Sequence, residues 1–220
     1  MIPLGVLAAA TPRGDGGGGG DGDPHWSNVV SLMSFDSGFV DHVTGVSWER
    51  LGGPSISTES PRFGKGCGNF GATAYVRRLN LYLQQAPFTI EFQLLRTGAS
   101  DRTFLNIGGT IFYLTSTGSI IGALGILTDE RSLGGNLPVG EWVHFALVRD
   151  GPSLSVFVGG VKTGTTDIGA GTFGAADMIY GYAGAIASGV RIDEARITRG
   201  VARYSENFIP PAEPFPRRGA

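Results

Sequence analysis

The acidic residues of the chain contain few pairs whose spacing suits catalysis. Glycoside hydrolysis requires two carboxyl groups about 5 to 10 Å apart. The adjacent pairs Asp129-Glu130 and Asp193-Glu194 point to opposite faces of an extended strand, so one strand cannot supply both groups. Asp21 and Asp23 have the required spacing of two residues, but they lie in a glycine-rich tail. The sequence therefore predicts no catalytic residues, and hydrolysis is the weaker alternative because its acids would have to come from separate strands.

Histidine, cysteine and serine offer no stronger catalytic pattern. The chain has three histidines, His25, His42 and His144, and the last lies between two apolar residues, which is typical of a hydrogen-bonded core or edge histidine. Cys67 is the only cysteine, so an intramolecular disulfide and a cysteine-rich zinc site are excluded. Because no histidine lies near Cys67 in the sequence, a buried apolar role is favoured over a reactive thiol. The sequence contains no nucleophile-elbow serine and no phosphate-binding loop.

The composition limits the class of protein and of partner. Glycine makes up 37 of the 220 residues and only 16% of residues are charged. The apolar segments are rich in valine, isoleucine, threonine and aromatic residues, which indicates many short strands joined by tight turns. A net charge of −2 gives no field strong enough to hold nucleic acid or an acidic membrane surface. No segment reaches the roughly 20 apolar residues that span a bilayer, so a soluble protein is expected.

The distribution of residue types predicts two units, a tail over residues 1–25 and one folded domain over residues 26–220. The tail has five consecutive glycines and too little apolar surface to offset its chain entropy, which predicts disorder when it is alone. Its apolar tip consists of Ile2, Leu4, Val6 and Leu7. An apolar tip on a glycine tether suits docking on a neighbouring protein, so these residues are the predicted partner anchor. A plain linker is the alternative.

Alternating and continuous apolar runs predict the strands. Residues 88–94 alternate apolar and polar side chains, as in a strand buried on one face. Residues 142–149 are apolar on nearly both sides, end at Asp150-Gly151 and are followed by residues 154–158, which predicts an antiparallel hairpin. Weaker strand patterns occupy residues 29–35, 75–83, 104–107, 111–115, 119–127 and 190–198. Many short strands without intervening helices predict an all-β fold, a two-sheet antiparallel sandwich of jelly-roll type.

The order of several short motifs resembles the laminin G-like domains of the concanavalin A-like lectin and glucanase superfamily, across residues 26–216. The motifs are SPRFGKG at residues 60–66, FTIEF at 88–92, GEWVHFALVR at 140–149, VFVGG at 156–160 and RIDEARIT at 191–198. Gly159 stands where the family commonly has an aspartate. The resemblance implies a concanavalin A-like sandwich, in agreement with the strand pattern.

Both ends of the predicted domain narrow this resemblance. The segment DPHWSNVVSL at residues 23–32, the segment GVARYSENFIPP at residues 200–211 and the glycine-rich tether are similar to a subgroup that is common in virion proteins of tailed bacteriophages. The resemblance implies a non-catalytic structural component of the virion, such as a tail, fibre or capsid-decoration protein, in a symmetric multi-copy assembly. It implies other virion proteins as partners of the tail and host-surface polysaccharide as a ligand. A lectin or adhesin as the main role is the alternative.

The resemblance also makes the loop aspartates candidates for Ca²⁺ binding. Some laminin G-like domains bind Ca²⁺ through loop aspartates and carbonyls. The loop-placed candidates here are Asp36, Asp41, Asp129 and Asp150, and nothing in the sequence selects among them. The sequence therefore assigns no metal ligand and no cofactor.

Aromatic residues are candidates for ligand contact and for packing. Exposed rings beside polar loops are typical of glycan sites. The candidate platforms are Trp26, Trp48, Tyr180 and Tyr182, but each is better explained as a core residue, so no glycan-binding residue is assigned. Tyr204, Phe208 and Phe215 alternate with prolines, which favours an extended strap across a sheet edge. A docking strip for a neighbouring subunit is the alternative.

Overall fold

The computed structural model describes residues 22–71, 73–173, 178–181 and 189–220. Over these residues the chain forms fifteen β-strands and one short 3-10 turn at Trp26–Asn28. The strands are β1 Val29–Met33, β2 Glu49–Leu51, β3 Ser55–Ser57, β4 Cys67–Phe70, β5 Tyr75–Arg78, β6 Phe88–Arg96, β7 Arg102–Ile107, β8 Thr110–Leu114, β9 Ile120–Leu124, β10 Leu127–Gly134, β11 Trp142–Asp150, β12 Ser153–Val158, β13 Val161–Asp167, β14 Met178–Gly181 and β15 Val190–Arg199.

The strands form two antiparallel sheets that pack face to face. The first sheet has the order β13-β12-β11-β6-β15-β4-β3, and β1 also pairs with β15. The second sheet has the order β10-β9-β8-β7-β14-β5-β2. Neighbouring strands run antiparallel in both sheets, which is the arrangement of a β-sandwich. The predicted all-β, two-sheet class is therefore confirmed.

Aromatic rings from both sheets fill the space between them. The centroid of the Phe92 ring lies 5.0 Å from that of Phe145, 6.1 Å from that of Phe104 and 5.4 Å from that of Tyr180. Phe92 and Phe145 belong to the first sheet, whereas Phe104 and Tyr180 belong to the second. All four side chains are fully buried, and burial of one such side chain contributes about 1.5–3 kcal/mol. The core thus joins the two sheets directly.

The alternating sequence of β6 predicts burial on one face only, but the strand is buried along its whole length. Its polar residues Thr89, Glu91 and Gln93 face away from the core, yet they are only 0–2% exposed. The cause is the C-terminal segment of residues 200–217, called the strap below, which crosses the outer face of the first sheet. Periodicity identifies which residues share a face, but it cannot reveal that a segment distant in sequence covers that face.

Aromatic side chains hold the strap against the first sheet. The rings of Tyr204 and Phe208 stack with centroids 3.6 Å apart, and both rest on Phe157 of β12, at 6.1 and 5.6 Å. Farther along the strap, the centroid of the Phe215 ring lies 3.9 Å from the guanidinium carbon of Arg196. The strap therefore lies over the face of the sheet rather than along a sheet edge.

Buried charges join the strap, the first sheet and the start of the domain. Glu91 of β6 accepts hydrogen bonds from Arg196 at 2.9 Å and from the Tyr204 hydroxyl at 2.7 Å. Asp23 accepts from Arg196 at 2.8 Å and from Arg203 at 2.7 Å. Burial alone would raise the pKa of Glu91, but Arg196 and the other cationic neighbours hold that pKa well below its usual range. Removing one member of such a buried network costs about 3–5 kcal/mol, because its partner is left buried and unpaired.

Asp23 belongs to this network although the composition assigns it to the tail. Its side chain is buried, and its N–H donates to the Arg218 carbonyl at 2.8 Å. The first and last described segments therefore meet on the strap side of the sandwich. Residues 1–21 lie outside the described residues, and with them the predicted anchor residues Ile2, Leu4, Val6 and Leu7.

The strand predictions agree with the structure at the strongest pattern and at four of the six weaker ones, residues 29–35, 104–107, 111–115 and 190–198. β11 and β12 form the predicted antiparallel hairpin. The single strand predicted at residues 119–127 is instead two strands, β9 and β10, because Gly125 adopts a φ of 58° and turns the chain. The strand predicted at residues 75–83 ends at Arg78. β2, β3, β4 and β14 have three or four residues each, which is too short for an alternating pattern.

The variant Phe208→Ala tests the packing of the strap. We expect it to lower the free energy of unfolding by about 2–4 kcal/mol, because it removes the stack on Tyr204 and the contact with Phe157. Equilibrium urea unfolding followed by circular dichroism measures the change. The adjacent Ile209 is 81% exposed, so Ile209→Ala is the matched control and should change the free energy by less than about 0.5 kcal/mol. Equal losses for the two variants would contradict the packing described.

Candidate functional site

The carboxyl groups of the pair Asp193-Glu194 are buried, at 0% and 2% exposure. β15 bulges here, since its register with β6 shifts between Asp193 and Arg196 and Glu194 has a φ of 47°. The bulge removes the strict alternation that the sequence suggests for this pair. Asp193 accepts the Phe63 N–H at 2.9 Å, and Glu194 accepts the Phe215 N–H at 3.1 Å. The pair therefore fixes one loop and the end of the strap.

Burial raises the pKa of both acids. It raises the pKa of Asp193 to about 6, and burial together with the neighbouring Asp193 charge raises the pKa of Glu194 to about 7. Arg217 lies 3.8 Å from Glu194 and partly offsets this effect. Perturbed acid pairs are frequent in catalytic sites, but here each carboxyl group is bound to backbone N–H groups beneath neighbouring segments. The arrangement suits a structural role that depends on pH.

His144 and Cys67 occupy buried positions, as the sequence predicts. The His144 ring lies edge-on to Phe208, with centroids 5.5 Å apart, and its Nε2 is 3.3 Å from a carboxylate oxygen of Glu91. Burial raises the pKa of Cys67 to about 11, which disfavours the reactive thiolate. His42 makes a hydrogen bond of 2.9 Å with the Ser34 hydroxyl. These contacts serve packing and turn structure.

The four aspartates considered for calcium do not converge. Asp41 is fully buried and forms an ion pair with Arg78, and Asp36 accepts the Lys65 N–H at 2.6 Å. Asp129 lies within β10 and Asp150 ends β11, so the expectation that both lie in loops is wrong. Within the described ranges, no three His, Cys, Asp or Glu side chains are grouped so that they could hold a metal ion.

The candidate aromatic platforms are packed where the structure describes them. Trp48 is 3% exposed and stacks on Tyr180 at 5.3 Å between centroids, and both belong to the main core. Trp26 is half-buried against the small cluster that contains Phe215. Tyr182 lies outside the described residues. Trp48 and Tyr180 therefore cannot act as surface platforms for a ligand.

The outer face of the second sheet carries the best candidate surface among the described residues. The cross-strand register places Glu49, Arg77, Ile179, Asn106 and Ile111 side by side. The residues next to them on the same strands, among them Val76, Tyr180 and Phe112, belong to the core. Alternation along a strand therefore directs the row outward. This row and the tyrosines that flank it are called the open face below.

Two tyrosines flank the row. Tyr113 of β8 is half-buried and donates its hydroxyl to Glu130 at 2.9 Å. Burial and the Glu130 carboxylate raise the pKa of Tyr113 to about 12, so the hydroxyl stays protonated near neutral pH. Tyr75 of β5 is also half-buried and lies opposite Gly181 in the register. The weak alternation of residues 111–115 is the sequence signal for an outward-facing aromatic residue in β8. A single sequence does not show which aromatic residue of this strand faces outward.

A groove of about 350 Å³ lies at the β2–β5 end of the open face. It is lined by Val46, Ser47, Trp48, Glu49, Arg77, Arg78 and Leu79. Val46 and Leu79 are 62% and 48% exposed, and Arg77 donates two hydrogen bonds to Glu49, at 2.7 and 3.0 Å. The groove thus combines apolar edges with a few polar groups, as small-ligand sites do.

The open face and the strap lie on opposite sides of the sandwich. The strap covers the outer face of the first sheet, and the open face is the outer face of the second. Asp23, where the described chain begins to pack, lies on the strap side. Among the described residues, no helix is long and apolar enough to cross a membrane.

Comparison with known proteins gives the fold. No protein-family model and no curated protein matches the chain. The chain is similar to domain 4 of AbnA, a GH43 extracellular arabinanase from Geobacillus stearothermophilus solved with arabinotriose (15% identity, TM-score 0.61, 79% of this chain and 93% of that one). It is also similar to Trypanosoma rangeli sialidase, with 13% identity and a TM-score of 0.62, covering 90% of this chain and 35% of that one. A third similar structure is the receptor binding domain of botulinum neurotoxin type G, with 12% identity and a TM-score of 0.57, covering 80% of this chain and 49% of that one. The chain spans less than half of the last two chains, and at these identities the likeness shows the β-sandwich fold alone.

The variant Glu194→Gln tests the buried acid pair. Folding raises the pKa of Asp193 and Glu194, so their contribution to stability is complete below about pH 4 and is lost as the pH rises through about 6 and 7. We expect the free energy of unfolding to fall by roughly 2–4 kcal/mol between about pH 5 and pH 8, and Glu194→Gln to remove about half of that fall. Urea unfolding at several pH values in this range measures it. Above about pH 5, Glu91 and Asp23, whose pKa values are lowered, stay ionised and do not interfere.

Glu206→Gln is the matched control for this measurement, because Glu206 is an exposed residue of the strap. It should keep the pH dependence of the unchanged protein. If Glu194→Gln and Glu206→Gln show the same slope, the acid pair does not control stability in this range.

Proposed function

We propose that this domain is a non-catalytic, lectin-like module that binds carbohydrate on the open face and is held in a larger assembly by its N-terminal segment. The observation that carries the proposal is the difference between the two sheets. The strap packs across the outer face of the first sheet, whereas on the outer face of the second Asn106, Tyr113 and Ile179 are half-buried and Glu49 is exposed. Among the described residues, the outer face of the second sheet therefore offers a ligand polar and apolar groups together.

The side chains of the open face suit a sugar ring. Ile179 supplies apolar surface, and the Tyr113 ring supplies an aromatic surface for the C–H groups of a pyranose. Asn106 and Arg77 stand in the same cross-strand row and can bind hydroxyl groups. Because these groups are set by strand register and not by long loops, the surface is formed before a ligand arrives.

The comparisons support carbohydrate as the ligand class. The arabinanase domain was solved in complex with arabinotriose and is similar along 93% of its length. A neurotoxin binding domain with the same fold was solved in complex with SialylT. We extend this ligand class to the present chain as a proposal that rests on the open face.

The N-terminal segment is the proposed attachment to the assembly. Because Asp23 lies on the strap side, the N-terminal segment joins the sandwich on the side opposite the open face. The anchor residues Ile2, Leu4, Val6 and Leu7 would dock on a neighbouring protein and leave the ligand surface exposed to the outside. The resemblance of residues 23–32 and 200–211 to domains of tailed-phage virions supports a virion as this assembly, with several copies of the module facing host-surface polysaccharide.

The variant Tyr113→Ala tests carbohydrate binding on the open face. The unchanged protein is expected to bind at least one class of polysaccharide on a glycan array, and Tyr113→Ala to weaken that binding roughly tenfold, or about 1.4 kcal/mol, because the ring contact is lost. Tyr113→Phe keeps the ring and should bind within about threefold of the unchanged protein. Ile209→Ala on the strap is the control for loss of an exposed apolar group. Unchanged binding by Tyr113→Ala would place the ligand elsewhere.

Deletion of residues 1–21 tests the attachment. If the segment anchors the module, the shortened protein should keep its thermal unfolding temperature and glycan binding but lose incorporation into particles, as measured by sedimentation of particles made with tagged protein. Replacement of Ile2, Leu4, Val6 and Leu7 by serine should give the same loss, because their apolar contacts are removed. Full incorporation of both variants would contradict the proposed anchor.

A further inference from the structure

The buried pair Asp193-Glu194 joins separate segments of the chain. Asp193 accepts the N–H of Phe63 at 2.9 Å, and Glu194 accepts the N–H of Phe215 at 3.1 Å. β15 bulges at this pair and holds Glu194 at a φ of 47°, a left-handed conformation that is unfavourable for a residue with a Cβ atom. Local strain therefore coincides with the place where two acids hold a loop and the end of the strap. Such strain is frequent in segments that switch between two arrangements.

Residues 213–219, called the C-terminal end below, also contact the start of the domain. The Arg218 carbonyl accepts the Asp23 N–H at 2.8 Å, and Asp23 pairs with Gly219 in an isolated parallel bridge. The Asp23 carboxylate is bound separately, by arginines of the buried network. Separation of the C-terminal end would therefore break the backbone contact with Asp23 and leave its side chain in place.

Few apolar contacts hold the C-terminal end. Phe215 is the one buried residue of this end, whose other residues are exposed or half-buried. It packs with Val29 and Leu32 in a cluster separate from the main core, and its ring centroid lies 3.9 Å from the guanidinium carbon of Arg196. A segment with so few buried apolar contacts opens locally at a lower free energy than the core strands. The hydrogen bond to Glu194 is therefore a large part of what keeps this end closed.

Charged groups face the pair from the segments packed against it. From the strap, Arg217 lies 3.8 Å from Glu194 and donates to Asp36 at 3.2 Å. Burial alone would raise the pKa of Asp36, but the N–H of Lys65 and the Arg217 guanidinium hold that pKa below its usual range, so Asp36 stays ionised above about pH 4. Arg217 thus attracts an ionised Glu194, whereas the Asp36 carboxylate repels it.

Two further titratable side chains lie near the pair. Cys67 faces Asp193, and burial together with the Asp193 charge raises the pKa of the thiol to about 11. His42 lies near Asp36 and Arg217, and burial and the Arg217 charge lower its pKa from the ordinary value of 6.5. Both side chains are therefore uncharged near pH 7, and the charge that changes there is that of the acid pair.

Opening of the C-terminal end would give water access to Glu194. In the closed structure, burial and the neighbouring Asp193 charge raise the pKa of Glu194 to about 7, although Arg217 offsets part of this rise. In water the pKa of a glutamate returns to about 4.3. Opening therefore releases a proton and becomes more favourable as the pH rises from about 4 through 7. Below about pH 4, Glu194 is protonated in both states, and a change of pH does not favour opening.

We propose that Glu194 is a proton-held latch, which keeps the C-terminal end closed while its carboxyl group is protonated and lets that end open locally when the group ionises. The opening separates Arg218 from Asp23 and uncovers Val29 and Leu32, while the two sheets stay packed. These groups lie on the strap side, where the N-terminal segment joins the sandwich, so pH acts on the side of attachment. The inference does not depend on carbohydrate binding, because none of these groups belongs to the open face.

Hydrogen exchange of the full chain, followed at single amides by NMR at pH 6 and pH 8, tests the latch. Division by the intrinsic exchange rate at each pH gives a protection factor for each amide. We expect the protection factors of the Phe215 and Asp23 amides to fall about tenfold from pH 6 to pH 8, because the raised pKa of Glu194 favours opening by that factor. Equal protection of the Phe215 amide at the two pH values would overturn the inference.

Low concentrations of urea separate local opening from global unfolding. Local opening exposes little surface and depends weakly on urea, whereas global unfolding depends on urea strongly. We expect the Phe215 amide to be at least about tenfold less protected than the paired amides of β11 and β12 and to respond little to urea. If all of these amides share one protection factor and one response to urea, the C-terminal end opens only when the whole domain unfolds, and the latch is rejected.

The variant Glu194→Gln assigns the pH dependence to one group. Glutamine keeps a hydrogen-bond acceptor for the Phe215 N–H but cannot ionise. We expect the protection of the Phe215 amide in this variant to change by less than about threefold between pH 6 and pH 8. Glu206→Gln, at an exposed position of the strap, is the control and should keep the tenfold change. A tenfold change that persists in Glu194→Gln would overturn the latch.

The variant Arg217→Gln tests the latch in a chain whose acid pair is intact. Because Arg217 favours the ionised form of Glu194 in the closed state, we expect its loss to lower the protection of the Phe215 amide several-fold at pH 8 and by a smaller factor at pH 6. Arg218→Gln is the matched control, since Arg218 is also exposed and contacts Asp23 through its backbone carbonyl. A loss in Arg217→Gln that is the same at both pH values would indicate lost packing alone and would reject the latch.

Discussion

A buried network of two acids and two arginines makes the two sides of this sandwich different. Its members, Asp23, Glu91, Arg196 and Arg203, come from four separate parts of the sequence. Each charge costs several kcal/mol to remove from water, so the fold tolerates them only when all four meet. The network therefore requires that the start of the domain and the strap pack on the same sheet, because either segment alone leaves an unpaired charge.

This closure supports the proposed location of the ligand. The strap fills the outer face of the first sheet with Tyr204 and Phe208, so a binding surface there would require a packed segment to be displaced. The second sheet has no such cover among the described residues, and its strand register carries apolar, amide and charged groups across its outer face. The groove at one end adds an arginine whose acidic partner is half-exposed. This difference fits the proposal that one sheet serves attachment and stability and the other serves recognition.

The sequence predicts the sheets better than it predicts the surfaces. The alternation of residues 88–94 and the turn at Asp150-Gly151 depend on local geometry, and the structure has β6 and the β11–β12 hairpin at those places. The burial of Glu91 depends on a segment more than a hundred residues away, which no local pattern contains. In a regular strand, alternation would place Asp193 and Glu194 on opposite faces. The bulge at Glu194 breaks that alternation. For the site, Trp48 and Tyr180 are core residues because they stack on each other, whereas Tyr113 faces outward because its strand neighbours point inward.

We propose that carbohydrate binds to the outer face of the second sheet. Backbone amide chemical-shift mapping by NMR, with a bound oligosaccharide added in steps, tests it most directly. We expect shifts concentrated in β2, β5, β7, β8 and β14, around Arg77, Asn106 and Tyr113, while the amide signals of β11, β12 and the strap do not shift. Shifts concentrated in the strap or in β11 to β13, with the open face unchanged, would contradict it.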